Sequence, residues 1–268
     1  MDAVMENIAP TEQRAWLAVS RKRAFLTHLC LSAGIVGSVC ALVFFAWYPH
    51  PYFEAMGTWN PLRVLVAVDV VLGPTLTLIV FKPGKRGLKF DLAFIAVVQL
   101  AALLYGVTLL YRERPYVAVF AVDRFHVWAA AEAPPFDAER FGGKPLVGPL
   151  LVAAEVPEDG QESLRLMLDV LRGGRDIDRR PDLWRPYAAN AAAVVDRARP
   201  LAALVEEEGE DAARAVAELL RRIDLPEAQL GFLPLLAKNR DLSVVIDRRT
   251  GMPVEVLDVD PWPSITRD

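Results

Sequence analysis

Asp69 is the residue whose type and position could do chemistry in this sequence. It stands inside an apolar run, VAVDVVLGP at residues 66–74, and an unpaired charge inside a membrane costs at least ~2.5 kcal/mol. The carboxyl group is therefore expected to be neutral, or paired and turned inward. Counting residues along the apolar stretches places Gln99 and Tyr105 on either side of the depth of Asp69 and His28 near the opposite face, and of these we predict Gln99 as the partner. A structural contact and a functional contact both stay open as roles for this pair.

The other reactive residue types do not form a recognisable site. His28, His50 and His126 lack the spacing of metal ligands. The sequence contains no nucleophile elbow and no dinucleotide fingerprint, and the GGKP run at residues 142–145 reads as a turn because proline cannot donate the backbone hydrogen bond that a phosphate loop needs. We therefore predict that the chain is not an enzyme, has no catalytic residue and needs no metal or cofactor.

Three apolar stretches at the front of the chain must position Asp69. They cover residues 24–48, 62–81 and 92–111, and each reaches the roughly 20 helical residues that cross a bilayer core of about 30 Å. A polar remainder follows at residues 115–268, long enough for a domain with its own core. The predicted fold is a membrane protein with a three-helix transmembrane N-terminal bundle followed by a mixed α/β soluble domain.

The charges predict how the chain crosses the membrane. Residues 1–114 hold 11 Lys or Arg against 7 Asp or Glu, whereas residues 115–268 hold 19 against 27. Basic clusters precede the first stretch and fill the loop at 82–89, while the loop at 49–61 has no Lys or Arg. By the positive-inside rule, the extension at residues 1–23 is cytoplasmic and the C-terminal domain is periplasmic. Five aromatic residues at the outer ends are expected to form an interfacial belt: Trp47, Tyr48, Tyr52, Trp59 and Tyr111.

Small residues lie on one side of the first stretch. Ala33, Gly37 and Ala41 recur at four-residue spacing, which would let another helix approach closely. We call these three residues the small-residue face. Two partners are open for this face, namely the second or third stretch of the same chain and a helix of another protein.

The remainder alternates helix and strand patterns. Residues 116–122 and 147–156 are predicted strands, Ser163 is the predicted N-cap of a helix at 163–171, and residues 181–186 form a turn-rich connector that contains Trp184. A second helix is predicted at 211–223, and a terminal hairpin at 242–246 and 254–259.

Several of these runs resemble a known family. They are RKRAFLTHL at residues 21–29, FFAWYP at 44–49, DVVLGPTLTL at 69–78, KPGK at 82–85, LKFDL at 88–92, VFAVDRF at 119–125 and DVDPW at 258–262. The chain resembles the type IV pilin accessory proteins named TfpX and TfpZ from residue 20 onward, most densely in the apolar part. Residues 1–19 lie upstream of where such proteins usually begin, so we expect either a cytoplasmic extension or a start codon assigned too early.

The resemblance implies a chaperone-like, multi-pass protein of the bacterial inner membrane that supports the stability of a cognate major type IV pilin and pilus assembly. The implied partners are that pilin, the lipid bilayer and, as further candidates, other inner-membrane proteins of the pilus machinery, but no nucleic acid. Candidate pilin contacts on the domain are Trp184, Arg248 and Thr250. The alternative is a membrane-tethered sensor or scaffold whose periplasmic domain binds a small ligand or peptide.

Overall fold

The computed structural model of the chain describes residues 20–157 and 159–262, so the extension expected at residues 1–19 lies outside the described part. Contacts divide these residues into two units. The helical unit comprises residues 20–42 and 59–110, and the domain unit comprises residues 43–58 and 111–262. The α-helices are α1 (Arg21–Leu42), α2 (Tyr52–Ala55), α3 (Trp59–Val66), α4 (Gly73–Val80), α5 (Leu88–Glu113), α6 (Gly160–Leu171), α7 (Ala191–Arg197) and α8 (Leu201–Arg222).

Three helices are long and apolar enough to cross a membrane. They are Arg21–Trp47, Trp59–Val80 and Leu88–Glu113, and they overlap the three predicted stretches. The second consists of α3, a π-helical turn at Ala67–Leu72, and α4. Pro74 explains this interruption, because proline lacks an N–H and its ring clashes with the carbonyl group one turn earlier.

Helix α1 packs mainly against α4 and the π-helical turn. It buries Ser32 and Val36, which lie one turn apart and therefore share a face. Helix α5 buries Leu88, Ile95 and Leu110 and exposes most of its other side chains. The three-helix part therefore contains one close helix pair and one helix with a largely exposed surface.

The domain unit is built on an eight-stranded mixed sheet. The strands are β1 (Pro115–Ala121), β2 (Arg124–Ala129), β3 (Leu150–Ala154), β4 (Trp184–Pro186), β5 (Arg199–Pro200), β6 (Leu230–Leu236), β7 (Leu242–Asp247) and β8 (Pro253–Leu257). Their order in the sheet is β4-β3-β1-β2-β6-β7-β8, and β5 also pairs with β6. The predicted strands at 116–122 and 147–156 and the terminal hairpin are confirmed. The combination of three apolar helices and a mixed α/β domain confirms the predicted fold class in outline.

Helix α8 covers the β6–β8 part of the sheet. Its buried residues, including Leu204 and Leu219, join Phe232 and Val245 in one hydrophobic cluster. The helix begins ten residues before the predicted helix at 211–223 and kinks at Gly209, whose φ of 69° suits glycine. The acidic residues at 206–210 therefore belong to α8.

Two details of the α6 region differ from the prediction. The N-cap of α6 is Asp159, whose side chain accepts a hydrogen bond from the Gln161 backbone N–H at 2.8 Å, and the predicted cap Ser163 lies inside the helix. An aspartate caps a helix as well as a serine does, so the sequence pattern alone did not distinguish Asp159 from Ser163 as the N-cap. The turn-rich connector at 181–186 is in part the edge strand β4.

The segment at 43–58 is part of the domain unit. The backbone N–H of Asn239 donates to the Ala55 carbonyl oxygen at 2.8 Å, and Arg240 pairs with Glu54 at 3.4 Å. Tyr48 and Tyr52 are buried, so their assignment to an interfacial belt was wrong. A short loop between two apolar stretches has thus become part of the folded domain.

Candidate functional site

Asp69 lies in the π-helical turn between α3 and α4, with its side chain only 5% exposed. It is the eleventh of the 22 residues of the apolar helix Trp59–Val80. A π-turn widens the helix locally and is often found where a side chain has a special role. The sequence therefore folds so that a buried carboxyl group sits halfway along an apolar helix.

The Gln99 side chain of α5 contacts Asp69, as predicted, but the contact is with the Asp69 backbone. The Gln99 Nε2 donates to the Asp69 backbone carbonyl oxygen at 3.1 Å. Gly73 makes room for this contact, because a Cβ atom at that position would lie 1.8 Å from the Gln99 Nε2. The expected pair is therefore brought together, while the Asp69 Oδ2 and the Gln99 Oε1 are buried without a hydrogen-bond partner within the described residues.

A cavity of about 150 Å³ opens at this pair; we call it the polar cavity. On one side His28 Nδ1 and Thr77 Oγ1 form a hydrogen bond at 2.6 Å. The polar cavity is lined by His28, Leu31, Ser32, Ile35, Val36, Asp69, Ala96, Gln99, Leu100 and Leu103. Buried acceptors without a donor are costly, so this apolar-walled space suits an occupant that brings a hydrogen-bond donor.

The small-residue face is exposed on α1. Ala33, Gly37 and Ala41 are all exposed, and a Cβ atom added to Gly37 would meet nothing within 4 Å. None of the three lines the polar cavity. Helix α1 packs against α4 and buries Ser32 and Val36, whereas the small-residue face stays uncovered by the described part of the chain.

Trp184 is in the core of the domain. Its side chain is 0% exposed, and its ring packs against Phe136 and Phe141 with centroid distances of 5.0 and 6.4 Å. The prediction that Trp184 contacts a partner is therefore wrong. Tryptophan is common both in cores and at interfaces, and a connector rich in proline looked like a surface loop.

Arg248 and Thr250 are exposed residues of the turn at 248–252 between β7 and β8, which we call the distal turn. Thr250 Oγ1 donates to Asp247 Oδ2 at 2.9 Å. Hydrogen bonds from the Arg249 backbone, Gln229 and Thr250 lower the pKa of the Asp247 carboxyl group below its ordinary value. The Thr250 hydroxyl group therefore helps to build the turn, whereas the Arg248 side chain is exposed.

Strand pairing places the distal turn far from the start of β1. The start of β1 lies beside the end of β2, the start of β2 lies beside the end of β6, and β7 runs back from that level to the turn. Along the strands, the start of β1 and the end of β7 are therefore nine residues apart, or about 30 Å at about 3.3 Å per residue. The distal turn thus lies at the end of the domain opposite Pro115.

Helix α6 carries an exposed apolar stripe that sequence reasoning missed. Leu164, Met167, Leu168 and Leu171 are all exposed, and their spacing of three and four residues puts them on one side of the helix. The apolar periodicity at 163–171 was visible in the sequence, but whether the sheet covers it depends on contacts between distant segments. Exposed stripes of this kind are typical of protein contacts.

The described residues contain no group of three or more His, Cys, Asp and Glu side chains that could hold a metal ion. His126 of β2 instead pairs with the buried Asp178, with Nδ1 and Oδ2 2.8 Å apart. Arg179 next to it stacks 4.0 Å from the Trp128 ring centroid. These contacts tie β2 to the segment before β4.

Known proteins resemble this chain over most of its length. A family profile described as "Fimbrial assembly protein FimB" matches residues 17–57. The serogroup I fimbrial assembly protein of Dichelobacter nodosus is 29% identical over 237 residues, which are 85% of this chain and 91% of that protein. The fimbrial assembly protein of serogroups C1 and C2 from the same organism is 37% identical over 103 residues, 37% of this chain and 78% of that protein. The chain belongs to the fimbrial assembly protein family.

Membership of the fimbrial assembly family supports a role in pilus assembly and suggests a structural rather than a catalytic task. The resemblance drawn from the motifs is confirmed at the level of a pilus assembly family, and the relatives' names do not extend to TfpX or TfpZ. The serogroup E1 relative, also from Dichelobacter nodosus, is 28% identical over 237 residues, or 85% of this chain and 91% of the relative. No solved structure matches the chain significantly.

Proposed function

We propose that this chain is a chaperone-like accessory protein of the TfpX and TfpZ kind, which stabilises a cognate major type IV pilin in the inner membrane and supports its assembly into pili. The relatives named for fimbrial assembly support the process. The observation that carries the mode of action is the polar cavity, where two buried side-chain oxygens in an apolar helical unit have no hydrogen-bond partner among the described residues. A pilin awaiting assembly offers an apolar helix and a globular head.

In this proposal the pilin helix lies against α1 and α5 at the polar cavity. Lipid tails cannot donate hydrogen bonds, so a helix that places a donor near Asp69 Oδ2 or Gln99 Oε1 is preferred over lipid. Hydrogen bonds between membrane helices contribute about 0.6–2 kcal/mol each. The small-residue face is a second place where a helix could pack closely, with shape rather than polarity as the attraction.

We predict that Asp69→Asn keeps pilin binding and that Asp69→Leu weakens it about fivefold, or about 1 kcal/mol. Asparagine keeps an acceptor at the polar cavity, whereas leucine removes it. The measurement is the amount of pilin that co-purifies with each variant, with Gln99→Leu as the matched variant on α5. If Asn is as damaging as Leu, the ionised carboxylate is required and the neutral form is not the active one.

In this proposal the N-terminus is cytoplasmic and the domain unit periplasmic, because basic clusters precede the first and third apolar helices while the loop at 49–61 has no Lys or Arg. We expect an alkaline phosphatase fusion after Asp268 to be active and a fusion within residues 82–89 to be inactive. The reverse pattern would put the domain in the cytoplasm and remove its access to the pilin head.

A second candidate function rests on a groove in the domain. An open cavity of about 530 Å³ lies between α6 and residues 180–183, and its polar lining includes Arg165, Arg172 and Arg180 beside acidic side chains. Such a groove suits a small charged ligand or a peptide, which is the sensor or scaffold alternative. A ligand-dependent rise in the melting temperature of the intact protein would favour it.

The experiment that separates the two functions is purification of the intact chain in mild detergent from cells that make the cognate pilin. A pilin helper retains the pilin with no added ligand. A sensor or scaffold would retain no pilin and would respond to ligand instead.

A further inference from the structure

The loop at 144–148 of the domain unit exposes two apolar side chains. Leu146 is 94% exposed and its neighbour Val147 is 53% exposed. Single exposed apolar residues are common, but here two are adjacent, and covering both would be favourable because it removes apolar surface from water. The contacts that fix the position of the loop indicate what could cover Leu146.

The 144–148 loop is tied to the end of the first apolar helix. The Gly148 backbone N–H donates to the Ala46 carbonyl oxygen at 3.4 Å, and a Cβ atom added to Gly148 would lie 3.6 Å from the Pro49 Cγ. Ala46 belongs to the last turn of the apolar helix Arg21–Trp47. Two residues span at most about 7.6 Å, so Leu146 lies close to the level at which that helix ends.

Aromatic rings and basic side chains lie near the same end of the first apolar helix. The rings of Trp47 and Tyr111 meet edge to face with centroids 5.1 Å apart. The Arg114 guanidinium group lies 3.7 Å from the Tyr111 ring centroid and 5.2 Å from that of Tyr116, and the Lys144 Nζ lies 5.6 Å from the Tyr116 centroid. Trp and Tyr rings with Lys and Arg beside them are typical of the boundary between lipid and water.

We propose that Leu146 and Val147 dip into the outer surface of the bilayer, and that the 144–148 loop is a membrane contact of the domain in addition to its apolar helices. The occupant is lipid because the loop is bonded to the end of an apolar helix and is flanked by the rings and cations of an interface. The Lys144 and Arg114 charges would face lipid phosphates. This inference requires that the apolar helices cross a membrane, and it does not depend on a pilin.

The test uses the full chain in lipid nanodiscs without pilin. Cys30 and Cys40 are replaced by alanine, and a nitroxide label is attached at Leu146→Cys or, as the control, at Met252→Cys in the distal turn. Both parent side chains are exposed. We expect the label at 146 to collide more often with oxygen than with a water-soluble nickel chelate, and the label at 252 to show the opposite ratio.

Equal collision ratios at the two positions would overturn the proposal. Low collision rates with both reagents at 146 would also overturn it, since they would mean that protein, such as a second copy of the chain, covers the loop. If the cysteine replacements disturb folding, a photo-crosslinking amino acid at 146 in the unaltered sequence provides the second measurement. Lipid adducts are the expected product, and adducts to protein alone would contradict the inference.

Discussion

Replacing Trp184 with alanine should lower the free energy of unfolding of the domain by about 3–5 kcal/mol. The Trp184 side chain is fully buried and joins Val119, Val152 and Ile177 in one hydrophobic cluster. Truncation would leave a large cavity at the edge of the sheet, which neighbouring side chains can fill only in part. Trp184→Phe should cost less, because it keeps most of the ring and removes an indole N–H that has no partner among the described residues.

The matched control is Arg248→Ala at an exposed position of the distal turn, which should change stability by no more than about 0.5 kcal/mol. Thermal and urea unfolding of the intact protein, followed by tryptophan fluorescence, measure both variants. A Trp184→Ala variant that melts like the parent but loses a binding partner would contradict the buried position and restore Trp184 as a contact.

A chimera should show that the domain unit selects the pilin while the helical unit binds pilin helices in general. Apolar helices offer few groups that distinguish one partner from another, whereas an acidic, folded surface can reject a mismatched head. The chimera takes its helical unit from a relative that serves another pilin. We expect it to support the pilin of this chain and to bind the other pilin at least about tenfold more weakly, or about 1.4 kcal/mol.

The structure decides where the chimera is joined. A single junction at Arg114 would leave a foreign loop opposite Asn239 and Arg240, which bind Ala55 and Glu54. Residues 43–58 must therefore stay with residues 111–268, and residues 20–42 and 59–110 are exchanged. Surface pili and co-purified pilin are the readouts, and the mirror chimera is the control. A chimera that serves the donor's pilin would place recognition in the helical unit, at the polar cavity or the small-residue face.

Composition and periodicity were enough to predict the features that depend on local sequence. Three long apolar stretches, a hairpin around residues 247–252 and the approach of Gln99 to Asp69 follow from hydropathy, turn residues and helical rise. The main-chain contact of Gln99 was not foreseeable, because it depends on the π-turn and on the space at Gly73.

The missed elements depend on pairing between distant residues. Strand β6, LGFLPLL at 230–236, contains a glycine and a proline, which normally argue against an inner strand. Pro234 is tolerated because it falls between the residues that pair with β5 and those that pair with β2. The burial of Tyr48 and Tyr52 likewise depends on the domain reaching the 43–58 segment.

Co-purification of the cognate major pilin with the intact chain tests the proposed function most directly. The chain is tagged at its C-terminus, expressed at native level, extracted in mild detergent and compared with an equally tagged, unrelated protein with three apolar helices. We predict that pilin is retained by this chain and not by the control, and that it is reduced in the Asp69→Leu variant. Pilin that is abundant in the membrane yet absent from the purified chain would contradict the account.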